Sequence, residues 1–178
     1  MQLNLDPHRV APPSRTDLKL WATADQCASF GLTATLNIWF AVGAPLDAFV
    51  IPKSPEPRRR DGLWNTTCFE LFMRRPGEAD YREWNFAPSG DWAAYDFTDY
   101  REGMAPAPVD APPYLRLEDS LTWWTFGATV GIEAGGSWEY GLSAVIEEQG
   151  GTKSYWALAH STEKPDFHHP DCFVGRLA

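Results

Sequence analysis

Cysteines and positive charges are both scarce in the sequence. Its three cysteines, Cys27, Cys68 and Cys172, are odd in number and form no C-x-x-C pair, which argues against a disulfide framework and a structural zinc site. We therefore expect them to be reduced and mostly buried. The 15 Lys and Arg residues are outnumbered by 24 Asp and Glu residues, so the net charge is −9. Nucleic acids and anionic membrane surfaces, which are bound mainly through Lys and Arg, are poor candidate partners.

Long apolar segments are also missing. No run approaches the roughly eighteen consecutive apolar residues that a membrane-spanning helix needs. Residues 1–9 lack the basic segment and apolar stretch of a signal peptide, which predicts a cytoplasmic location. With 178 residues, 44% of them hydrophobic and 22% charged, the chain is expected to form a single domain over residues 1–178.

Period-two alternation of apolar and polar residues dominates the sequence. In residues 30–40 the apolar set runs from Phe30 through Leu32 to Phe40, as in a strand with one face in the core. The same period runs through residues 122–132 and 140–146. Shorter strands bounded by Gly, Pro, Asn or Asp are predicted at residues 67–73, 81–86, 92–97, 114–117 and 154–160. With no amphipathic helix of ten residues, the pattern predicts an all-β fold, an antiparallel β-sandwich or jelly roll of about ten strands.

Two proline-rich segments, residues 51–60 and 103–113, interrupt this pattern. Because proline removes a donor from a strand ladder, both are predicted to be loops. The first contains the triplet Arg58-Arg59-Arg60, which is either an anion-binding patch or a solvated part of the loop.

Glu70 lies between two apolar residues on one face of its predicted strand. A carboxylate in such a place needs a partner, either an Arg or Lys in an ion pair or the hydroxyls of a ligand. In the next strand Glu83 and Asn85 share one face, and both faces mix polar and aromatic groups. Sugar recognition combines a flat aromatic ring with polar groups that bind hydroxyls. The candidate stacking residues, each near turns or polar neighbours, are Trp64, Trp84, Trp92 and Trp156.

The C-terminal segment concentrates groups that can ligate or hydrogen-bond. Asp166, His168, His169 and Asp171 lie in a predicted loop, with His160 just upstream at a strand end. Adjacent histidines in an extended loop point apart, and the spacing matches no zinc motif, so hydrogen bonding or a structural role is preferred over metal binding.

Signatures of catalysis are weak. The sequence has no G-x-S-x-G elbow, no H-E-x-x-H and no phosphate-binding glycine loop. An enzyme, or an assembly partner, would have to use Glu70 together with His160 or His168, which requires these groups to converge. An enzyme is therefore the weaker hypothesis.

Three stretches carry a resemblance to a known group of proteins. They are D-G-L-W-N-T-T-C-F-E-L-F at residues 61–72, Y-R-E-W-N-F-A-P-S-G-D-W at residues 81–92, and Y-D-F-T-D-Y-R at residues 95–101. Together they resemble the DOMON-like superfamily, which includes the family 9 carbohydrate-binding modules. The similarity is greatest to a bacterial subgroup of standalone DOMON-like proteins, which share an ending like W-A-L-A-H and K-P-D-F-H-H-P at residues 156–160 and 164–170. The resemblance spans residues Leu63 to Val174.

The resemblance implies a non-catalytic β-sandwich that binds a saccharide or a similar polar small molecule. Glu70 and Asn85 match the ligand-binding positions of the group best. The full set that maps near those positions is Trp64, Glu70, Arg82, Asn85, Trp92 and Arg101.

The same resemblance raises two other kinds of ligand, haem and calcium. Haem-binding relatives use a Met and a His as axial ligands, so a cytochrome-like domain would draw on Met73 or Met104 with one of His160, His168 and His169. Calcium is structural in some sugar-binding relatives, yet no Asp-rich loop matches such a site, and we predict no metal or cofactor. The oligomeric state is left open, since an exposed tryptophan patch could equally be a protein interface.

Overall fold

A computed structural model describes residues 1–30 and 32–178, with side chains except at positions 28–30. The helical segments in these ranges are three short 3-10 turns, Leu46–Ala48, Leu63–Asn65 and Pro170–Cys172, and no helix there is long and apolar enough to cross a membrane. The strands are β1 (Leu3–Pro7), β2 (Leu20–Phe30), β3 (Thr33–Val42), β4 (Cys68–Arg74), β5 (Tyr81–Phe86), β6 (Trp92–Phe97), β7 (Ala105–Pro106), β8 (Tyr114–Asp119), β9 (Trp124–Glu133), β10 (Trp138–Glu147), β11 (Lys153–Ala157) and β12 (Gly175–Leu177).

The strands form two antiparallel layers that are joined by β1. The first sheet has the order β1-β2-β3-β9-β8, and the second has the order β7-β6-β5-β4-β10-β11, with β12 beside the start of β10. Residues Leu3 to Leu5 pair with β2, whereas Asp6 and Pro7 pair with β11, so β1 passes from one sheet to the other. The predicted all-β antiparallel sandwich is confirmed.

The main core lies between the two sheets. Period-two alternation turns the apolar set of β3 inward against Phe69, Leu71 and Met73 of β4. Phe69 occupies the centre, stacked on Phe126 at 5.1 Å between ring centroids and edge-on to Trp124 at 5.6 Å. Offset and edge-to-face contacts of this kind add stabilisation to that of the buried apolar area.

The outer face of the second sheet is buried as well. Leu63 from the loop before β4, and Phe167 and Phe173 from the C-terminal segment, pack on its apolar side chains, which include Phe72 and Tyr95. As a result every residue of β4 from Cys68 to Met73 is buried. Polar groups on this face are therefore held in surroundings of low polarity.

Several elements differ from the sequence predictions. β1, β2 and β12 lie outside the predicted strands. In β2 the inward positions include small alanines, which give a weak apolar signal. The strand predicted at residues 154–160 ends at Ala157, so His160 lies beyond it. Leu32, predicted to face the core, lies in the β2–β3 turn and is 88% exposed. Gly31 and the Phe30 side chain lie outside the described residues.

Both predicted proline-rich loops are present, with one short strand inside the second. Pro106 belongs to β7, which lies at a sheet edge, where a proline costs no ladder hydrogen bond. The arginine triplet is largely structural. Arg59 donates to the carbonyl oxygen of Ala107 at 2.9 Å, and Arg60 pairs with Asp91 at 3.0 Å.

All three cysteines are free, as expected. Cys68 and Cys172 are buried, but Cys27 is exposed on the outer face of the first sheet, where the Asn37 side-chain amide donates to its sulfur. The expectation of burial fails for Cys27 because the period-two pattern of β2 points it away from the core.

Replacing Phe69 by alanine should lower the free energy of unfolding by about 3–5 kcal/mol, because it leaves a cavity among the stacked aromatic rings. The measurement is a urea titration followed by tryptophan fluorescence. Leu121→Ala is the control, because Leu121 is 91% exposed and its truncation should change the value by less than about 0.5 kcal/mol. Equal effects of the two substitutions would contradict the assignment of Phe69 to the centre of the core.

Candidate functional site

A group of polar side chains lies buried on the outer face of the second sheet. The register of β4 sets Glu70 opposite Asn85 of β5 on one side and Ser143 of β10 on the other. Glu83 lies two residues before Asn85 and therefore on the same face. We call Glu70, Glu83 and Asn85 the polar cluster. Strand pairing alone brings its members together.

The polar cluster is hydrogen-bonded, but not completely. Ser143 Oγ donates to Glu70 Oε2 at 3.0 Å, and Asn85 Nδ2 donates to Glu83 Oε1 at 2.7 Å. Cys68 Sγ approaches Asn85 Oδ1 at 3.6 Å. Within the described part of the chain, Glu70 Oε1 and Glu83 Oε2 accept no hydrogen bond from a protein group. Each glutamate thus keeps one oxygen free to accept from a ligand.

The electrostatics of the cluster favour protonated carboxyl groups. Glu70 is 3% exposed and Glu83 is 5% exposed. Burial raises the pKa of Glu70 to about 8, and repulsion from Glu83 adds to the shift. Burial likewise raises the pKa of Glu83 to about 7, against the hydrogen bond from Asn85. The two groups therefore share protons near neutral pH.

Arg101 is the cation whose charge opposes these shifts, since it lowers the pKa of both glutamates. It lies in the tight turn after β6, in the left-handed conformation with φ of 57°, which is uncommon for a residue other than glycine. Its guanidinium donates to Asp166, with Nη2 and Nε at 2.8 and 3.3 Å from Oδ1. This ion pair links the turn after β6 to the C-terminal segment.

His168 closes the other side of the cluster. Its Nδ1 lies 2.7 Å from the Tyr81 hydroxyl, which itself accepts a hydrogen bond from Arg101 N at 3.2 Å. Burial lowers the pKa of His168 to about 4, so the imidazole is neutral at pH 7. When Tyr81 donates to Nδ1, the imidazole proton sits on Nε2, which lies 3.8 Å from Glu83 Oε2.

Trp64 supplies an exposed aromatic surface beside this face. It lies in the 3-10 turn that begins after Gly62, whose φ of 76° suits glycine. The indole is 38% exposed and rests edge-on against Tyr95, with ring centroids 5.9 Å apart. Tyr95 in turn donates its hydroxyl to Asp61 at 2.6 Å. The turn is thereby held against the sheet.

The structure brings five of the predicted site residues to this face and places two others elsewhere. Those on or beside the face are Trp64, Glu70, Asn85, Arg101 and His168. Arg82 points to the opposite side, where it makes a two-point ion pair with Asp96 at 2.7 and 2.9 Å. Trp92 also lies on the core side, partly buried, with the Arg59 guanidinium 5.3 Å from its ring centroid.

The two remaining histidines lie at the border of the face. His160 Nε2 is 2.8 Å from the Asp6 carbonyl oxygen, and its ring packs edge-on to His8. His169 Nδ1 accepts from Asp171 N at 3.2 Å and caps the last 3-10 turn. Both histidines thus make hydrogen bonds within the protein. Among residues 1–30 and 32–178, no three His, Cys, Asp or Glu side chains converge on a possible metal position.

Three further candidate residues, Trp84, Trp156 and Met73, are buried in the core. Of the four tryptophans considered for stacking, Trp84 and Trp156 are each 2% exposed and cannot form a platform. Met73 is 3% exposed on the core side of β4, so β4 separates it from the histidines of the C-terminal segment. Met104 is half-exposed in the loop before β7.

A small cavity adjoins the site. It has a volume of about 240 Å³ and lies beyond Tyr81 and His168, at the edge formed by Arg74, Tyr100 and Phe173. Tyr81 and His168 therefore contact both the cavity and the region of the polar cluster.

The sequence had not selected Glu83, Ser143 or Asp166 as site residues. The alternation of β5 places Glu83 on the same face as Tyr81 and Asn85. This shared face is the sequence signal that could have identified Glu83 as a site residue. Asp166 stands out in the sequence only as one of the polar groups of the C-terminal segment, and its pairing with Arg101 follows from the path of that segment. Ser143 carries no sequence signal, because its role follows from strand order.

Comparison with known proteins identifies the fold. No known family profile and no curated protein matches the chain. Among solved structures it is similar to a Bacteroides uniformis protein to which carbohydrate binding is ascribed, with a TM-score of 0.66 and 13% identity over 98% of this chain and 84% of that one. It is also similar to a family 9 carbohydrate-binding module from Caldicellulosiruptor kristjanssonii, in complex with glucose and in complex with cellotriose. Both comparisons give a TM-score of 0.53, 9% identity and coverage of 98% of this chain, with 82% and 80% of the other chain. The chain has a fold related to that of family 9 modules.

The buried glutamates predict that stability falls as pH rises. Their pKa values are raised in the folded state, so the folded protein holds protons that the unfolded chain has lost, and this stabilisation disappears as pH rises through about 7 and 8. Between pH 6.5 and 8.0 the free energy of unfolding should fall by about 1–2 kcal/mol. In Glu70→Gln this decrease should be at least halved, because the amide keeps the Ser143 contact without the charge.

The measurement is a set of urea titrations at fixed ionic strength across this pH range. Glu163→Gln is the matched control, since the Glu163 side chain is 94% exposed and its substitution should leave the wild-type slope unchanged. If Glu70→Gln retained the full wild-type slope, the shared protonation of the cluster would be wrong.

Proposed function

We propose that this protein is a single DOMON-like β-sandwich domain that binds a saccharide on the outer face of its second sheet. The observation that carries the proposal is the pairing of an exposed indole, Trp64, with the incompletely hydrogen-bonded polar cluster. A pyranose presents an apolar C–H face and a rim of hydroxyl groups. Trp64 matches the first and the free carboxyl oxygens match the second.

The polar groups are held in place before a ligand arrives. Glu70 and Asn85 are fixed by central strands, and Arg101 is fixed by Asp166 and by the turn that contains it. Such preorganisation lowers the entropic cost of binding. The enzyme hypothesis requires Glu70 to converge with His160 or His168, and within the described residues neither histidine makes a hydrogen bond to Glu70.

The comparisons support the same reading without assigning a ligand to this chain. The similar structures include a family 9 module in complex with glucose and with cellotriose. Those saccharides are therefore the first ligands to test. The DOMON-like resemblance of residues 61–101 covers Trp64, Glu70 and Asn85, which all lie at the site described above.

Substitution of Trp64 by alanine should weaken saccharide binding at least tenfold, because it removes the stacking surface while leaving the strands intact. The measurement is a glycan array followed by calorimetric titration of the hits, with glucose and cello-oligosaccharides included. Asn85→Ala should also weaken binding, because the Asn85 amide donates to Glu83 Oε1 and holds that carboxyl group in position.

Trp123→Ala is the matched control for this experiment. Trp123 is 46% exposed and lies in the turn between β8 and β9 of the first sheet, so its loss should leave binding unchanged. Absence of any glycan ligand for the folded wild-type protein would contradict the proposed function. Equal loss of affinity in Trp64→Ala and Trp123→Ala would contradict the location of the site.

A further inference from the structure

The polar cluster has an excess of negative charge over the cations that face it. Glu70 and Glu83 are both buried, and Arg101 is already engaged by Asp166, so two carboxylates and an ion pair meet at one place. His168 is neutral and adds no positive charge. Buried carboxylates that lack a cation are costly, and the cost is removed either by a proton or by a positively charged partner.

Apart from Arg101, which Asp166 already engages, the described groups around the cluster supply no cation. From β4 and β10 the cluster is faced by Cys68 and Ser143, and from β6 by Tyr95, whose hydroxyl is directed to Asp61. None of these is cationic. The groups that face the two glutamates from all the elements packed on them are Cys68, Tyr81, Asn85, Tyr95, Arg101, Ser143 and His168.

We propose that the ligand of this site is an amino sugar, a pyranose whose free amine is protonated and binds between Glu70 and Glu83. This inference rests on the proposed saccharide-binding function and specifies its ligand class. The ammonium group has three donors, and Glu70 Oε1 and Glu83 Oε2 are acceptors that have no hydrogen-bond partner among the described residues. Trp64 would cover the ring of the same sugar.

The charge balance of the site predicts a release of protons on binding, which can be measured separately from affinity. Without ligand the two glutamates retain protons near neutral pH, and an ammonium group between them replaces that positive charge. When the amine is already protonated in solution, binding of the amino sugar therefore releases protons from the carboxyl groups to the buffer. A neutral hexose leaves the protons in place, so its binding should release almost none.

The test compares three β-1,4-linked trimers that differ at one position of each ring: the free 2-amino trimer of glucosamine, its N-acetylated form and cellotriose. Titration calorimetry at pH 6.0, where the amines of the free trimer are mostly protonated, in two buffers of different ionisation enthalpy measures both affinity and proton release. The glucosamine trimer should bind at least about tenfold more tightly than cellotriose, as expected for hydrogen bonds to charged groups. It should release up to one proton, and the N-acetylated trimer should behave like cellotriose.

Glu83→Gln supplies the matched variant, because the amide retains the size of the side chain and removes its charge. In this variant the ratio of the affinity for the glucosamine trimer to the affinity for cellotriose should fall below about threefold, and a general loss of affinity cancels in this ratio. Proton release from the wild-type protein is an independent readout, which does not depend on the variant folding well.

The outcomes separate this inference from the proposed function. Binding of cellotriose with equal or higher affinity than the glucosamine trimer, or binding of the latter without proton release, would overturn the amino-sugar assignment and leave saccharide binding intact. Failure of all three trimers, together with an empty glycan array, would overturn both.

Discussion

The pairing of β4 with its two neighbours is the constraint on which the rest of the structure depends. One face of this strand directs Phe69, Leu71 and Met73 into the core between the sheets. The other face holds Glu70 against Asn85 and Ser143. Because the side-chain period of a strand is two, a slip of one residue would exchange the two faces, placing the carboxylate in the aromatic core. The packing energy of the core therefore fixes the position of the site.

Burial of the carboxylates is possible because the outer face is only partly apolar. Leu63, Phe167 and Phe173 cover its apolar side chains, and the turn of Arg101 and the C-terminal segment close over the polar ones. The ion pair of Arg101 with Asp166 connects these two coverings. An exposed ion pair contributes little to stability by itself, so we assign it chiefly a positioning role. It holds a positive charge at the edge of the cluster without placing it between the glutamates.

Much of the fold could be predicted because alternation is a local signal. β5 and β6 have the predicted bounds, and the alternation in residues 81–86 gives the correct faces for Glu83 and Asn85. The order of the strands in a sheet, in contrast, is not encoded by any local pattern in the sequence. The contacts of Ser143 with Glu70 and of His168 with Tyr81 join residues 73 and 87 positions apart, and no spacing in the sequence encodes them. The positions of Arg82 and Trp92 show the same limit, since resemblance alone does not tell which sheet face a side chain occupies.

The charges of the site determine what kind of ligand it can hold. A neutral sugar can accept and donate hydrogen bonds to the two glutamates, but it leaves their mutual repulsion in place, so protons must remain bound. A cationic ligand reduces that repulsion directly, and in surroundings of low polarity the gain is larger than it would be in water. Asn85 donates to Glu83 and cannot neutralise it, and His168 is held neutral by burial. The proposed selectivity for a charged donor thus follows from the same burial that raises the carboxyl pKa values.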